Sequence, residues 1–418
     1  MDCNLLVGQS GGPTAAINAS LAGVVRAAMA SPAVGRVYGA CNGLEGFLQG
    51  RVVDLAESLR EAEDFERLRT TPAMALGSCR FKLPAPPAPI YEKVLRLFRQ
   101  YGIGYFLYIG GNDSMDTVQK LAAYCAGQGV PVRCVGIPKT IDNDLPCIDH
   151  SPGYGSAARF IASAVTEIAC DSSVYHVPSV TIVEIMGRNA GWLTASSVLA
   201  RRGGRGAPHL IYLPERPFDP EEFLRTACER MRTEEHLVVA VSEGLRRADG
   251  SYVSTNPHAA VDSFGHSALA GVGKYLEGLV RQRLGCKVRA VELNVLQRAA
   301  GHLASSTDLA EAERLGAFAV QTACEGRSGV MVTLRRLSEH PYLTGTGCVP
   351  LEQIANRERK VPAEWITASG CDVTDEMTAY VRPLVHGEVR PFWRDGLPDP
   401  FWIPRNYVKP DGEDAADR

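Results

Sequence analysis

Several features that mark other protein classes are missing from this sequence. The 12 cysteines never form a Cys-x-x-Cys pair, which argues against zinc sites and thioredoxin-like redox motifs. No apolar run reaches the roughly 18–20 residues that a membrane-spanning helix needs, and the N-terminal residues carry no basic segment of a signal peptide. The sequence therefore predicts a cytoplasmic protein with reduced thiols and no membrane segment.

An excess of one charge is also missing. The 418 residues include 44 Lys and Arg against 47 Asp and Glu, which gives a net charge of −3. Because proteins that bind nucleic acid usually present a strongly basic surface, this balance argues against a nucleic-acid partner. Glycine, by contrast, is plentiful at 41 residues, and several of these glycines lie in tight clusters.

Short apolar runs alternate with helical segments through most of the chain. A run such as Asn4–Val7 is followed by a turn rich in glycine or proline and then by a helix. This alternation predicts a parallel sheet with helices on both faces. We predict an α/β protein with two Rossmann-like lobes, mostly parallel sheets and a C-terminal extension, since prolines interrupt the periodicity after about residue 340.

The predicted domain boundaries follow the strands and these prolines. The first lobe covers 1–145 and is completed by about 256–300, while the second covers 146–255 and is completed by about 301–335. The extension covers 336–418, and its acidic end is predicted to be disordered.

Two glycine-rich turns follow predicted strands. In Ser10–Gly12 the glycines let backbone N–H groups approach an anion, and the following helix N-terminus favours negative charge; the alternative is a tight turn without a ligand. The turn Gly110–Ser114 adds oxygen ligands of the kind that hold Mg²⁺ beside phosphates, although Asp113 or Ser114 also suits a helix cap. Neither turn has the spacing of a P-loop or of a dinucleotide fingerprint.

A third turn, Thr140–Asp144, carries two carboxylates and a hydroxyl directly after a strand. Such a carboxylate suits a general base that takes the proton of a substrate hydroxyl as its oxygen attacks phosphorus. Lys139 precedes the turn and supplies a cation for the transferred group, whereas the alternative is a polar surface loop. Because ligands of parallel sheets bind at the carboxyl ends of strands, the three turns are expected to meet at one sheet edge.

Together with Met186-Gly187-Arg188, the three turns resemble the phosphofructokinase family in order and spacing. ATP-dependent members have glycine where this chain has Asp113 and Lys139, so the chain resembles the pyrophosphate-dependent branch. A glycine leaves room for the α-phosphate of a nucleotide, whereas a carboxylate adds bulk and like charge. The resemblance implies reversible phosphoryl transfer from pyrophosphate to the 1-hydroxyl of fructose 6-phosphate, which gives fructose 1,6-bisphosphate and phosphate.

The resemblance also implies the catalytic and donor-binding residues, which lie in the donor lobe, 1–145, with the exception of Arg188. Asp142 corresponds to the catalytic base, and the other catalytic residues are Lys139, Asp113, Thr140 and Arg188. The residues implied to bind pyrophosphate are Gly11, Gly12, Arg80, Lys82 and Ser114. Mg²⁺ is the implied cofactor, held by Asn112 and Asp113. Asn112 stands where the family usually has an aspartate, so metal binding is expected to shift toward Asp113, waters and the donor.

The second lobe is implied to bind fructose 6-phosphate. The residues implied are Thr140, Ile141, Asp142, Asp144, Met186, Gly187, Arg188, Glu243, Gln297 and Arg298. Among these, Arg188 suits bidentate binding of phosphate, and Arg298 corresponds to an arginine that binds the 6-phosphate. The family resemblance further implies a homo-oligomer, either a dimer or a tetramer. Ser179 stands where shorter members carry an arginine that reaches the neighbouring subunit, and His176 is a candidate substitute.

Other functions fit parts of the sequence. An ATP-dependent enzyme of the same family would need an open adenine pocket, against which Asp113 and Lys139 argue. A non-catalytic regulatory subunit would have lost its base, yet Asp142 is present. An unrelated Rossmann-type oxidoreductase would need a dinucleotide fingerprint, which the sequence lacks. Sedoheptulose 7-phosphate stays open as a second acceptor because its reacting end is similar to that of fructose 6-phosphate.

Overall fold

The structure, a computed structural model, describes residues 3–201, 203, 206–254 and 271–410. Its strands are β1 (Cys3–Gln9), β2 (Val34–Ala40), β3 (Val52–Asp54), β4 (Ile103–Gly110), β5 (Arg133–Pro138), β6 (Ser179–Ile185), β7 (Leu210–Tyr212), β8 (His236–Ser242), β9 (Lys287–Glu292), β10 (Val330–Glu339), β11 (Tyr342–Pro350), β12 (Trp393–Arg394) and β13 (Leu397–Pro398). The predicted acidic tail, 411–418, lies outside the described residues.

The α-helices of the described residues are α1 (Ile17–Ala30), α2 (Gly43–Phe47), α3 (Leu55–Ser58), α4 (Ala62–Thr70), α5 (Pro89–Gln100), α6 (Asn112–Gly127), α7 (Tyr154–Ser172), α8 (Trp192–Ser196), α9 (Pro220–Arg230), α10 (Val272–Arg283), α11 (Leu296–Ala299), α12 (Ser306–Cys324) and α13 (Asp375–Val381). Short 3₁₀ helices lie at Ser197–Ala200, Gly301–Leu303, Leu351–Gln353, Ala363–Trp365 and Arg382–Val385. Within the described ranges, none of the helices combines the length and the apolarity that crossing a membrane requires.

Two mostly parallel sheets form the frame of the protein. The larger sheet has the strand order β11-β10-β5-β4-β1-β2-β3, and only its pairs β10–β11 and β2–β3 are antiparallel. The smaller sheet has the order β7-β8-β6-β9, with all neighbours parallel. The predicted α/β class with two lobes and mostly parallel sheets is confirmed.

The apolar runs of the sequence are buried on both faces of these sheets. In β1, the consecutive residues Leu5, Leu6 and Val7 are all fully buried, as expected for a parallel strand covered by helices on each side. In β6, Val180 and Ile182 join one hydrophobic cluster, while Val183 and Ile185 join another. Because side chains alternate along a strand, the sheet separates these two clusters.

Strand pairing corrects the predicted assignment of the later segments. The prediction that 256–300 completes the first lobe is wrong in its described part, because β9 pairs with β6 in the smaller sheet. The prediction that 301–335 completes the second lobe is wrong as well, because α12 packs against α1 and β10 pairs with β5. The proposed boundary at residue 336 cuts the β10–β11 hairpin. An apolar pattern identifies a strand but not the sheet that receives it.

The crossing of α1 and α12 leaves no room for a side chain at Gly316. A Cβ atom there would lie 2.1 Å from the carbonyl oxygen of Ser20 and 2.9 Å from the amide nitrogen of Val24. We expect Gly316→Ala to lower the free energy of unfolding by about 1–3 kcal/mol, as overpacking does, and urea denaturation measures this change.

The matched control is Gly278→Ala in α10, where an added Cβ would meet nothing within 4 Å. This variant is expected to raise the free energy of unfolding by about 0.5–1 kcal/mol, because alanine loses less chain entropy in a helix. Equal effects of the two substitutions would contradict the close approach of α1 and α12.

Candidate active site

A cleft of about 700 Å³ opens at the carboxyl ends of β1, β4 and β5 and extends to the ends of β6 and β8. Every site residue predicted from the sequence lines this cleft, except Gly187 and Gln297. The residues in the cleft are Gly11, Gly12, Arg80, Lys82, Asn112, Asp113, Ser114, Lys139, Thr140, Ile141, Asp142, Asp144, Met186, Arg188, Glu243 and Arg298.

The larger sheet holds the three turns side by side. The amide of Ser10 donates to the carbonyl of Ile109 at 3.0 Å, and the amide of Lys139 donates to the carbonyl of Gly110 at 2.9 Å. The hydroxyl of Ser114 donates to that of Ser10 at 3.0 Å. The predicted meeting of the turns at one sheet edge is confirmed, because strand pairing extends into the turns themselves.

The first turn is separated from its helix. Helix α1 begins at Ile17, whose amide donates to the hydroxyl of Thr14 at 3.0 Å, so the helix N-terminus does not directly follow the glycines as predicted. Gly11 adopts a φ of +79°, which favours glycine. A Cβ at Gly12 would lie 3.3 Å from a terminal nitrogen of Arg298. The glycines therefore leave space for the side chains of Lys139 and Arg298, and they do not place the N-terminus of α1 at the turn.

Lys139 ties the first turn to the third. Its side chain is buried, with 2% exposure, and its Nζ donates to the carbonyl of Ser10 at 3.0 Å and to that of Gly12. Burial lowers the pKa of Lys139 to about 7, against the opposing effect of the Asp142 carboxylate. Because an anion would favour the ammonium form, binding of a phosphate in the cleft is expected to increase the charge of this lysine.

Asp142 lies beside Lys139 at the end of β5. Its amide donates to the hydroxyl of Thr140 at 3.1 Å, which sets the turn. Part of Asp142 remains open to the cleft, yet burial of its carboxyl raises its pKa to about 6; the charge of Glu243 also raises it, while Lys139 and Arg188 lower it. A carboxylate of this pKa is mostly ionised at neutral pH and is more basic than an ordinary aspartate.

The residues after Asp142 anchor the loop. The buried side chain of Asn143 donates to the hydroxyl of Tyr380 at 2.9 Å and accepts from the amide of Ser151 at 3.0 Å. Burial raises the pKa of Asp144 to about 7, and its Oδ1 is buried without a hydrogen-bond partner among the described residues. Asn143, which was not among the predicted site residues, therefore positions Asp142 and Asp144.

Gly187 and Gln297, both predicted to bind the substrate, lie behind the cleft wall. The amide of Gly187 donates to Oε1 of Glu243 at 3.3 Å, and Oε1 of the buried Gln297 accepts from the amide of Met186 at 3.1 Å. Burial raises the pKa of Glu243, and this hydrogen bond from Gly187 opposes the rise. These two residues orient side chains of the cleft instead of lining it.

Cations from separate segments of the chain face the same space. Arg80 and Lys82 lie between α4 and α5, Arg188 follows β6, and Arg298 belongs to α11. Burial lowers the pKa of Arg298, and the neighbouring Arg80 lowers it further. The carboxylates of Asp142 and Glu243 oppose this lowering. Because several cations face one cleft, the arrangement suits a ligand with more than one anionic group.

Some residues that line the cleft belong to no predicted motif. Nδ2 of Asn189 donates to a carboxylate oxygen of Glu358 at 2.8 Å. The amide of Asn356 donates to Oδ1 of Asn112 at 2.7 Å, and Nδ2 of Asn112 donates to the carbonyl of Arg357 at 2.6 Å. The amide oxygen of Asn112, predicted to be a metal ligand, thus uses one of its two lone pairs for the hydrogen bond from Asn356, and its metal role stays a prediction. No local pattern marks residues 356–358 as cleft residues, because they are exposed and polar.

The predicted metal site has few protein ligands. In the part of the chain that the structure describes, no three or more His, Cys, Asp and Glu side chains are grouped to hold a metal ion. Asp113 and Asp144 do present carboxylates to the cleft, and carboxylates together with substrate phosphates are the usual ligands of Mg²⁺. These donors fit a magnesium ion that is bound largely through a phosphate ligand.

Ser179 and His176 lie away from the cleft. Ser179 begins β6 at the end opposite to Met186, and its hydroxyl bonds Nδ1 of His236 at 3.0 Å. His176 is fully exposed and lies 3.6 Å from a carboxylate oxygen of Glu235. Within this chain neither residue contributes to the described site.

Comparisons with known proteins agree with this geometry. A family model described as Phosphofructokinase matches residues 4–323. The chain is 41% identical over 401 residues to a pyrophosphate–fructose 6-phosphate 1-phosphotransferase of Methylococcus capsulatus, covering 95% of this chain and 94% of the relative.

Two solved structures are similar over nearly the whole chain. The pyrophosphate-dependent phosphofructokinase of Marinobacter aquaeolei has a TM-score of 0.86 and 37% identity, covering 97% of each chain. That of Nitrosospira multiformis has a TM-score of 0.87 and 36% identity, covering 100% of each chain.

The buried environment of Lys139 predicts its titration. We expect a midpoint at about pH 7, measured by NMR of protein labelled with ¹³C at lysine Cε, with Lys139→Met to assign the signal. In Asp142→Asn the midpoint is expected to fall further, because the carboxylate that favours the ammonium form is gone. A wild-type midpoint at the ordinary lysine value of about 10.4 would contradict the buried contacts of Nζ.

Proposed function

This chain belongs to the phosphofructokinase family, and we propose that it transfers a phosphoryl group reversibly from pyrophosphate to the 1-hydroxyl of fructose 6-phosphate. The products are fructose 1,6-bisphosphate and phosphate. The observation that carries the proposal is the placement of the buried Lys139 beside Asp142 in a cleft that Asp113 also lines. Similar proteins named for this reaction support it.

The donor half of the cleft favours a compact polyanion. Lys139, Arg80 and Lys82 supply positive charge there, and the Ser10–Gly12 turn leaves space beside Nζ of Lys139. Asp113 places a carboxylate at the start of α6 in the same cleft, and we propose that a nucleotide would have to pass this carboxylate beyond its β-phosphate. Like charge and bulk at this position disfavour a nucleotide more than a pyrophosphate.

In the proposed reaction Asp142 acts as the general base. It takes the proton of the sugar 1-hydroxyl as that oxygen bonds to phosphorus, and the bond between phosphorus and the bridging oxygen of pyrophosphate breaks. Lys139 stabilises the charge of the departing phosphate. Arg188 and Arg298 are proposed to bind the sugar phosphate, and Glu243 to accept hydrogen bonds from sugar hydroxyls.

We propose Mg²⁺ as the cofactor, held by Asp113, Asp144 and the donor. When bound, a magnesium ion neutralises phosphate charge and orients the transferred group. Asn112 is a weaker candidate ligand, because its amide oxygen is uncharged and already accepts a hydrogen bond from the amide of Asn356. A homo-oligomer, either a dimer or a tetramer, stays a prediction from the family resemblance.

The assignment of Asp142 as the base predicts a selective loss of turnover. We expect Asp142→Ser to lower kcat roughly 10²–10⁴-fold, the usual contribution of a general base, while the Kd for fructose 6-phosphate by calorimetry changes little. A kcat close to that of the wild type would remove Asp142 from this role. Loss of both kcat and binding would instead indicate that the substitution disrupts the loop.

The direct test of the proposed function compares donors in a coupled assay that measures fructose 1,6-bisphosphate. Wild-type protein is expected to turn over with pyrophosphate and to show little activity with ATP. We expect Asp113→Gly to raise kcat/KM for ATP, because it removes the carboxylate that repels the nucleotide. Turnover of the wild type with ATP and not with pyrophosphate would contradict the proposal, and an unchanged ATP activity in Asp113→Gly would show that Asp113 is not the barrier.

A further inference from the structure

Residues 355–360, named the strap below, connect the two sides of the cleft. The strap lies between Ile354 and Val361, which are both buried. The side chains of Asn356 and Glu358 line the cleft and are exposed to solvent on their other side. The strap belongs to the segment that was predicted to be an extension outside the catalytic lobes, so its contacts with the site are a finding of the structure.

The first anchor of the strap is the side-chain amide of Asn112. Its oxygen accepts from the amide of Asn356 at 2.7 Å, and its nitrogen donates to the carbonyl of Arg357 at 2.6 Å. Both halves of the amide are therefore used on adjacent residues of the strap. An aspartate here could accept the first hydrogen bond but could not donate the second, and its charge would face the carbonyl of Arg357.

A second anchor joins the strap to the smaller sheet. Asn189, which follows β6, donates to Glu358 at 2.8 Å and accepts from Arg246 at 3.0 Å. Asn356 also donates to the carboxylate of Asp116 on α6 at 3.3 Å. The strap is thus held from both sides of the cleft.

A third anchor joins the strap to the loop that carries Asp142. The amide of Arg359 donates to the carbonyl of Asp144 at 2.6 Å. The guanidinium of Arg359 donates to the carbonyls of Ile148 at 2.8 Å and Asp149 at 2.7 Å. A shift of the strap would therefore be transmitted to the reacting end of the site.

We propose that the strap, clamped by Asn112, sets the length of the phosphate donor that the cleft accepts. The proposal rests on the proposed function and adds a second specificity element to Asp113. The strap is anchored at Asn112 and Asp116, on either side of Asp113, so it lies at the donor end of the cleft. A donor longer than pyrophosphate has to place its added group against the strap backbone and the carboxylate of Glu358, where like charge and bulk oppose it.

The chain offers a matched control for the amide clamp at Asn4. Its Nδ2 donates to the carbonyl of Tyr101 at 2.7 Å, and its Oδ1 accepts from the amide of Arg36 at 2.9 Å. Asn4 lies near the start of β1, at the end of the strand opposite to the Ser10 turn. Asn4→Asp thus makes the same chemical change to the same pair of hydrogen bonds, away from the cleft.

The experiment measures kcat/KM with pyrophosphate, tripolyphosphate and ATP for wild type, Asn112→Asp and Asn4→Asp. We expect Asn112→Asp to raise the ratio of kcat/KM for tripolyphosphate to that for pyrophosphate about tenfold, the factor that loss of one hydrogen bond typically produces. Asn4→Asp is expected to leave this ratio unchanged. Hydrogen exchange of peptides covering 354–361 is expected to speed up in Asn112→Asp only.

Each other outcome overturns the strap proposal. If strap exchange speeds up while the donor ratio stays constant, the strap does not select donors. If exchange does not change, Asn112 does not clamp the strap. If Asn4→Asp shifts the ratio equally, the effect reflects general destabilisation. A wild type that lacks turnover with pyrophosphate contradicts the proposed function itself, so the two failures are distinguishable.

Discussion

The site depends on one buried interaction, the ammonium group of Lys139 held by the carbonyl oxygens of Ser10 and Gly12. It joins the turn after β1 to the turn after β5 and places a cation beside Asp142. A buried ammonium is costly unless hydrogen bonds or an anion compensate it, and the protein supplies only part of this compensation. The lowered pKa of Lys139 is the result, and a phosphate bound in the cleft would supply the missing compensation.

Burial in the cleft also shifts the pKa of the acidic residues, but it raises their pKa where it lowers that of Lys139. Burial raises the pKa of Asp142, Asp144 and Glu243, while Lys139 and Arg188 oppose the rise at Asp142. Burial in one cleft therefore brings the pKa of Lys139, about 7, close to the pKa of Asp142, about 6. Groups poised near neutral pH suit proton transfer to and from a sugar hydroxyl in both directions of a reversible reaction.

The turns could be predicted from the sequence because their chemistry is local. Gly11, Asp113 and Asp142 each follow an apolar strand, and parallel strands bring their carboxyl ends together. The sheet that receives β9 or β10 could not be predicted, since it depends on contacts between distant segments. The position of Gln297 behind the cleft wall, where it supports Met186, and the contacts of the strap depend on distant segments in the same way. The backbone partners of Asn112, more than two hundred residues away in the chain, could not be predicted either.

The central claim is that Lys139 and its neighbours bind pyrophosphate as the phosphoryl donor. It is tested most directly by running the proposed reaction in reverse, from fructose 1,6-bisphosphate and phosphate. The measurement follows ³²P-labelled phosphate incubated with fructose 1,6-bisphosphate, Mg²⁺ and the protein, without any nucleotide. The account predicts that labelled pyrophosphate forms with wild-type protein and that Lys139→Met greatly slows its formation. No labelled pyrophosphate with the wild type, together with formation of ATP when ADP replaces the phosphate, would contradict it.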